Sequence, residues 1–149
     1  MKLTEEGELK EARFSVPGSP FGKQRPRVVR NGGFSRTYTP KETVNYENLV
    51  KIMFREATKG KRFKDGAILD VRIIAYYGIP VSTSKKKRKQ MIDREIRPTK
   101  KPDADNIAKA VCDSLNEVAY HDDSAIVDIQ VRKFYSENPR VDVLIRDIG

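Results

Sequence analysis

The chain has 149 residues, a formal net charge of +9 and a pI near 9.7, which fits one domain able to bury roughly 68–70% of its unfolded surface. No run of about 18 apolar residues exists to span a membrane, and the acidic start MKLTEEGELK lacks the apolar core of a secretory signal. A single cysteine, Cys112, excludes an internal disulfide framework and points to the cytoplasm, where it is expected to be a packing or surface residue.

Residues 1–11 are polar and are expected to fray, leaving 12–149 as the folded domain. The stretch EARFSVPG predicts a first strand ended by Pro17 and Gly18. Asn31-Gly32-Gly33, between short β-favouring runs, predicts a hairpin tip. Thr39 is placed to cap a helix with Pro40 at its first position and Glu42 at its third. That helix runs to about Thr58, with Val44, Leu49, Ile52 and Met53 among its buried candidates. In AILDVRIIAYYG, Leu69, Val71, Ile73 and Ala75 alternate against Asp70 and Arg72, the period of a strand.

A helix over residues 82–95 carries the run Lys85-Lys86-Lys87-Arg88-Lys89. The next helix extends from about Ala104 to Glu117. Its buried stripe is Ile107, Val111, Leu115 and Val118, with Asp105, Lys109 and Asn116 roughly opposite. Two alternating strands follow, one with Val127, Ile129 and Val131, the other with Val141, Val143 and Ile145. Asn138-Pro139 between them predicts an antiparallel hairpin. The fold class is α+β, a mixed sheet packed with helices in a single compact domain.

Charge is distributed unevenly. Residues 13–40 hold Arg13, Lys23, Arg25, Arg27, Arg30 and Arg36 and no acid. Residues 84–101 hold nine Lys or Arg, including Lys100 and Lys101, against Asp93 and Glu95. Between residues 102 and 128, seven acids face Lys109 alone. The basic stretches suit a polyanion, and nucleic acid is the usual one. An acidic island beside them would repel that partner unless a cation neutralised it.

The island has two ends, Asp103 and Asp105 at the start of the third predicted helix and Asp122 and Asp123 after it. On a helix, residues two apart diverge by about 200°, whereas on an extended approach they point the same way. One Asp at a helix start is an ordinary cap, and Asp122-Asp123 also reads as a solvated turn. Lys109 stands one turn from both Asp105 and Asp113, so it is either part of a charge ladder or a cation over the site. Whether the two acidic ends meet depends on how the helix packs against the following strand, which spacing leaves open.

Familiar metal loops do not fit. Ala108 and Ser114 stand where a calcium-binding EF-hand needs Gly and Glu, and the strand triplet Asp128-Ile-Gln130 ends wrongly for a nuclease Asp/Glu-x-Lys. One His and one Cys exclude a conventional zinc site, and His121 reads as a turn residue. Oxygen ligands with Mg²⁺ or Mn²⁺ remain, and beside a polyanion surface they suggest phosphodiester hydrolysis.

The segment KPDADNIAKAVCDSLNEVAYHDDSAIVD resembles the signature of RusA-type Holliday junction resolvases, and GKQRPRVVRNGGFSRTYTPKETVNYE resembles the basic N-terminal section of their longer members. The resemblance implies a Mg²⁺-dependent endonuclease acting as a homodimer on four-way DNA junctions by paired symmetric nicks. It implies that Asp103, Asp105 and Asp123 bind metal with Asp122 beside them, that Lys109 is the family's helix lysine, and that the two acidic ends meet. One departure is Ala125, where members often carry Gln. Lys23, Arg25, Arg27, Arg30, Arg36, Lys85, Lys86, Lys87, Arg88, Lys89, Lys100 and Lys101 are expected to contact DNA phosphates, which carry little base information. The competing expectations are a non-catalytic DNA-binding protein, a metal nuclease for flaps or other branched DNA, and an RNA-directed role. Few aromatics and no Trp argue against a single-strand stacking platform.

Overall fold

A computed structural model describes all residues, 1–149. Its strands are β1 (Lys2–Leu3), β2 (Leu9–Pro17), β3 (Arg27–Asn31), β4 (Phe34–Tyr38), β5 (Leu69–Gly78), β6 (Ile126–Ser136) and β7 (Arg140–Asp147). Its helices are α1 (Lys41–Thr58), α2 (Lys85–Ile92) and α3 (Ala104–Ser114), and a 3₁₀ turn, Asp123–Ala125, precedes β6. Five strands form a mixed sheet in the order β1-β2-β7-β5-β6, and β3 and β4 form a separate two-stranded ribbon. The α+β class expected from the sequence holds. No helix is long and apolar enough to cross a membrane.

The core sits between one sheet face and helices α1 and α3. Leu69, Val71, Ile73, Ala75 and Tyr77 of β5 are buried at every second position, as a strand with one face on a core requires. Phe54 of α1 meets Phe14 of β2 edge to face at 5.7 Å. Ile107, Val111 and Leu115 of α3 join the same buried cluster, as their spacing predicts.

Several local expectations are corrected. The link after β6 does not make a two-stranded hairpin. Pro139 of that link packs against Gly78, and β5 lies between β6 and β7, parallel to the first and antiparallel to the second. Alternation tells which face a residue takes and says nothing of which strand lies beside it. In α1 the N-cap is Pro40, not Thr39, and the buried face is Thr43, Val50, Phe54 and Thr58. Val44 and Ile52 are exposed, and Leu49 and Met53 are half-buried. The basic helix starts after a Ser84 cap rather than at Ser82, and α3 ends at Ser114 rather than Glu117. Strand β2 begins at Leu9, which is buried, and Lys2–Leu3 pairs with it.

Replacing Phe54 with Ala is expected to cost about 3–5 kcal/mol in urea unfolding, the usual cost of emptying a buried aromatic site. Ile52→Ala, on the outer face of the same helix, is expected to change stability by no more than about 0.5 kcal/mol.

Candidate active site and nucleic-acid interface

Helix α3 carries one acidic group at each end. At its N-terminus, Asp103 occupies the N-cap with extended backbone, φ −72° and ψ 156°, yet its side chain makes no capping hydrogen bond. The carboxylate is exposed, as is that of Asp105 in the first turn. The approach to the helix is held from three sides. Tyr77 Oη donates to the Pro102 carbonyl at 2.6 Å, and Lys133 Nζ donates to the Lys100 carbonyl at 2.7 Å. On the third side Lys23 N–H donates to the Asn106 carbonyl at 3.2 Å. A Cβ on Gly22 would stand 2.8 Å from that of Pro102, so only glycine fits there. Burial, followed by the charge of Asp103, pushes the Tyr77 phenol up to about 12.

At the other end, Asp123 opens the 3₁₀ turn, and its N–H donates to Asn116 Oδ1 at 2.8 Å. Burial and a hydrogen-bonded contact with Asp113 raise its carboxyl above the usual range. Asp113 in turn accepts a hydrogen bond from Lys23 Nζ at 2.8 Å, and Glu47 lies 3.7 Å from the same ammonium. Asp122 caps the turn by accepting from the Ser124 N–H at 3.0 Å, and hydrogen bonding to Ser124 lowers its pKa. His121 is an exposed turn residue paired with Glu117. Cys112 is buried, which pushes its thiol up to about 12.

The two acidic groups do not meet within one chain. Asp103 and Asp113 are separated by ten residues of helix, about 15 Å at 1.5 Å per residue. Asp123 is tied to the far end because α3 runs antiparallel to β6, so the start of the strand lies beside the end of the helix. No three Asp, Glu, His or Cys side chains in the chain stand close enough to hold a metal ion. The carboxylates at each end of α3 are oxygen ligands of the kind Mg²⁺ or Mn²⁺ takes, and within one chain Asp103 and Asp105 lie at the start of the helix and Asp123 beside its end. Lys109 lies exposed between the two groups, in a shallow groove walled by Ala108 and Cys112 of α3 and by Asp123, Ile126 and Ile129.

Among the expected phosphate contacts, Arg25, Arg27, Arg30 and Arg36 are exposed on or beside the β3–β4 ribbon. The register places Val29 opposite Arg36 and Arg27 opposite Tyr38, so Arg27 and Arg36 share one ribbon face and Arg30 takes the other. Phe34 at the tip is 82% exposed. Lys85, Lys86 and Lys87 are exposed on α2, whereas Arg88 pairs with Glu137 at 2.6 Å and Lys89 with Asp93 at 3.0 Å. Lys23 is held in its internal ion pairs, and Lys100 and Lys101 flank Asp103 on the surface.

Sequence reasoning passed over Asp113 as part of a charge ladder and overlooked a basic cluster on the far half of β6. There the guanidinium groups of Arg94, Arg97 and Arg132 lie 4.2, 4.3 and 4.9 Å from the Phe134 ring centre. Arg97 Nε donates to the Lys133 carbonyl at 3.0 Å, joining this cluster to the segment before Asp103. The run Arg132-Lys133-Phe134-Tyr135 was its visible signal.

Comparison with known proteins bears on these residues. The family model of the endodeoxyribonuclease RusA matches residues 17–146. An uncharacterized protein of Bacillus subtilis (strain 168), YqaN, is 36% identical over 137 residues, covering 92% of this chain and 96% of that protein. Both acidic groups, the ribbon and the basic helix lie inside the matched residues, and the chain belongs to the RusA endodeoxyribonuclease family.

Proposed function

We propose that the protein is a divalent-metal-dependent endonuclease that resolves four-way DNA junctions by paired symmetric nicks, acting as a homodimer in recombination and repair. The observation that carries this reading is the pair Asp103 and Asp105, exposed, free of capping duty and set between basic surfaces in a chain of the RusA family. Carboxylates left unpaired beside a polyanion-binding surface make sense where a cation joins them. Asp103 and Asp105 would hold Mg²⁺ or Mn²⁺, which would supply polarisation of the scissile phosphate and activation of water.

The chain's own groups divide the remaining work. Asp103, Asp105 and Asp123 are the carboxylates required for cutting, with Asp122 setting the turn that presents Asp123. Lys109, unpaired and exposed in the groove, offsets negative charge developing on the phosphate. Arg25, Arg27, Arg30 and Arg36 on the ribbon grip one stretch of backbone. Lys85, Lys86 and Lys87, with Lys100 and Lys101, grip another. Contacts of this kind read shape and charge more than base identity, and they make binding steeply salt-dependent. A junction has approximate two-fold symmetry, which a two-fold dimer matches with two equivalent sites.

Three measurements test this reading. Asp103→Asn, Asp105→Asn and Asp123→Asn are each expected to lower the junction cleavage rate on the order of 10²–10³-fold or more, and Lys109→Ala by about 10²-fold, while junction binding survives. Unchanged rates in these variants sink the assignment, and a flap cut faster than a junction keeps the chemistry but removes the substrate.

Combined replacement of Arg27, Arg30 and Arg36 by Ala is expected to flatten the log–log salt dependence of junction binding by about 0.9 for each phosphate no longer neutralised.

Asp123→Asn should also raise the melting temperature by a few degrees at pH 7–8. The raised pKa of Asp123 means that the folded chain holds this proton more tightly than the unfolded chain does. Its ionisation therefore costs stability as pH rises above the ordinary carboxylate range. The gain from Asn should shrink as pH falls toward 4, and an equal gain at all pH values would contradict the paired-acid geometry.

A further inference from the structure

We propose that Phe34, at the tip of the β3–β4 ribbon, stacks on a base left without a neighbour at a DNA branch point, so that the ribbon selects branched DNA over plain duplex. The choice of DNA as partner rests on the nuclease reading above, whereas the stacking is measured without any cutting.

Exposure singles out the ribbon. Every residue of β3 and β4 is exposed, and an isolated two-stranded hairpin is marginal in water unless something lies against it. The chain has six Phe and six Tyr. Only Phe34 and Tyr38 are exposed, and both belong to β4. The other rings are wholly or partly covered, and even Phe134, beneath its guanidinium groups, is buried.

Both exposed rings lie on one face, because Phe34 and Tyr38 are four residues apart on a strand. The register sets Asn31 opposite Phe34, Val29 opposite Arg36 and Arg27 opposite Tyr38, so the same face carries two guanidinium groups. The reverse face holds Val28, Arg30, Ser35 and Thr37 and no ring. No acid stands between residues 13 and 40. A bare ring flanked by cations is complementary to a base and the phosphates beside it. A second copy of this chain, itself at +9, would bring like charge to the same surface. One ring at a tip suits a single base rather than a run of them.

The tip holds the ring in a defined place. Gly32 and Gly33 both take positive φ, 54° and 88°, as the two-residue turn of a tight hairpin requires, so Phe34 stands on the last rung. The root is fixed as well. Lys23 bonds the Asn106 carbonyl and the Asp113 carboxylate of α3, and the Thr43 hydroxyl of α1 donates to Gln24 Oε1 at 3.2 Å. A five-residue strand is about 17 Å long, so the ring stands well clear of the body of the protein.

Branched DNA is where such a ring gains most. A wedge pushed between the base pairs of a duplex must first break their stacking. At a branch point that stacking is already interrupted, and the ring gains a partner without breaking one.

The test measures binding in EDTA. The chain has no Trp, so Phe34→Trp places one indole at the tip, and its emission reports that position alone. A four-way junction is expected to quench this emission, and a duplex of the same arm sequence to leave it unchanged. Phe34→Ala should weaken junction binding about 5–100-fold, the worth of one base–aromatic stack, and duplex binding by less than about twofold. Val28→Ala, on the reverse face, should change neither. An unchanged melting temperature for Phe34→Ala separates lost stacking from lost folding. Equal quenching by junction and duplex, no quenching by either, or full junction preference in Phe34→Ala overturns the inference. Paired nicks by a protein whose Phe34→Ala variant keeps that preference would leave the nuclease reading standing alone. Junction-specific quenching in a protein that cuts no DNA with Mg²⁺ would retain this inference and remove the nuclease reading.

Discussion

The antiparallel packing of α3 on β6 is the constraint on which the functional surface depends. It separates the acidic residues into two groups, one on each end of the helix. Lys109 lies between them, and the whole arrangement faces the one long bare edge of the sheet. Tyr77 and Lys133 fix the chain just before Asp103 by bonding the Pro102 and Lys100 carbonyls, so the sheet itself sets the position of that carboxylate. At the far end Lys23 reaches across to Asp113, which ties the basic N-terminal segment to the same helix. The acidic residues are thus placed at the two ends of α3, while the ribbon and α2 carry many of the basic side chains.

Electrostatics gives the two ends different characters. Asp103 and Asp105 are solvated and face a favourable helix N-terminus. Asp123 is partly buried against Asp113, an arrangement that disfavours its ionised form and stores repulsion in the native state. Native structures keep such unfavourable pairs where function requires them, and perturbed carboxylates in clefts are common at active sites. Around this acidic strip the ribbon, α2 and the Phe134 cluster form separate cationic surfaces.

Much of this was legible in the residues themselves. The apolar stripe Ile107, Val111 and Leu115 identified the buried side of α3, and the Asn-Gly-Gly tip located the ribbon. The acidic residues were recognisable as a cluster by number and spacing. Their distribution in space was not, because the direction of a strand relative to a preceding helix is set by non-local pairing. The insertion of β5 between β6 and β7 is of the same kind, since no local signal in Asn138-Pro139 names the neighbouring strand. In α1, Val44 and Ile52 matched a buried pattern but face outward, and Thr43 and Thr58 lie inside. Thr58 is accommodated by donating its hydroxyl to the Phe54 carbonyl at 2.9 Å. Val127 and Ile129 show the opposite situation, since their alternation is that of a covered face and the single chain leaves it bare.

The central claim is that these surfaces serve paired cutting of branched DNA. The most direct measurement maps nicks strand by strand on an end-labelled four-way junction, in Mg²⁺ and in EDTA, beside matched duplex and flap. The account predicts two nicks at symmetry-related positions in the junction, none in the duplex, and none without the metal. Tight junction binding with no cutting in any divalent ion would contradict it.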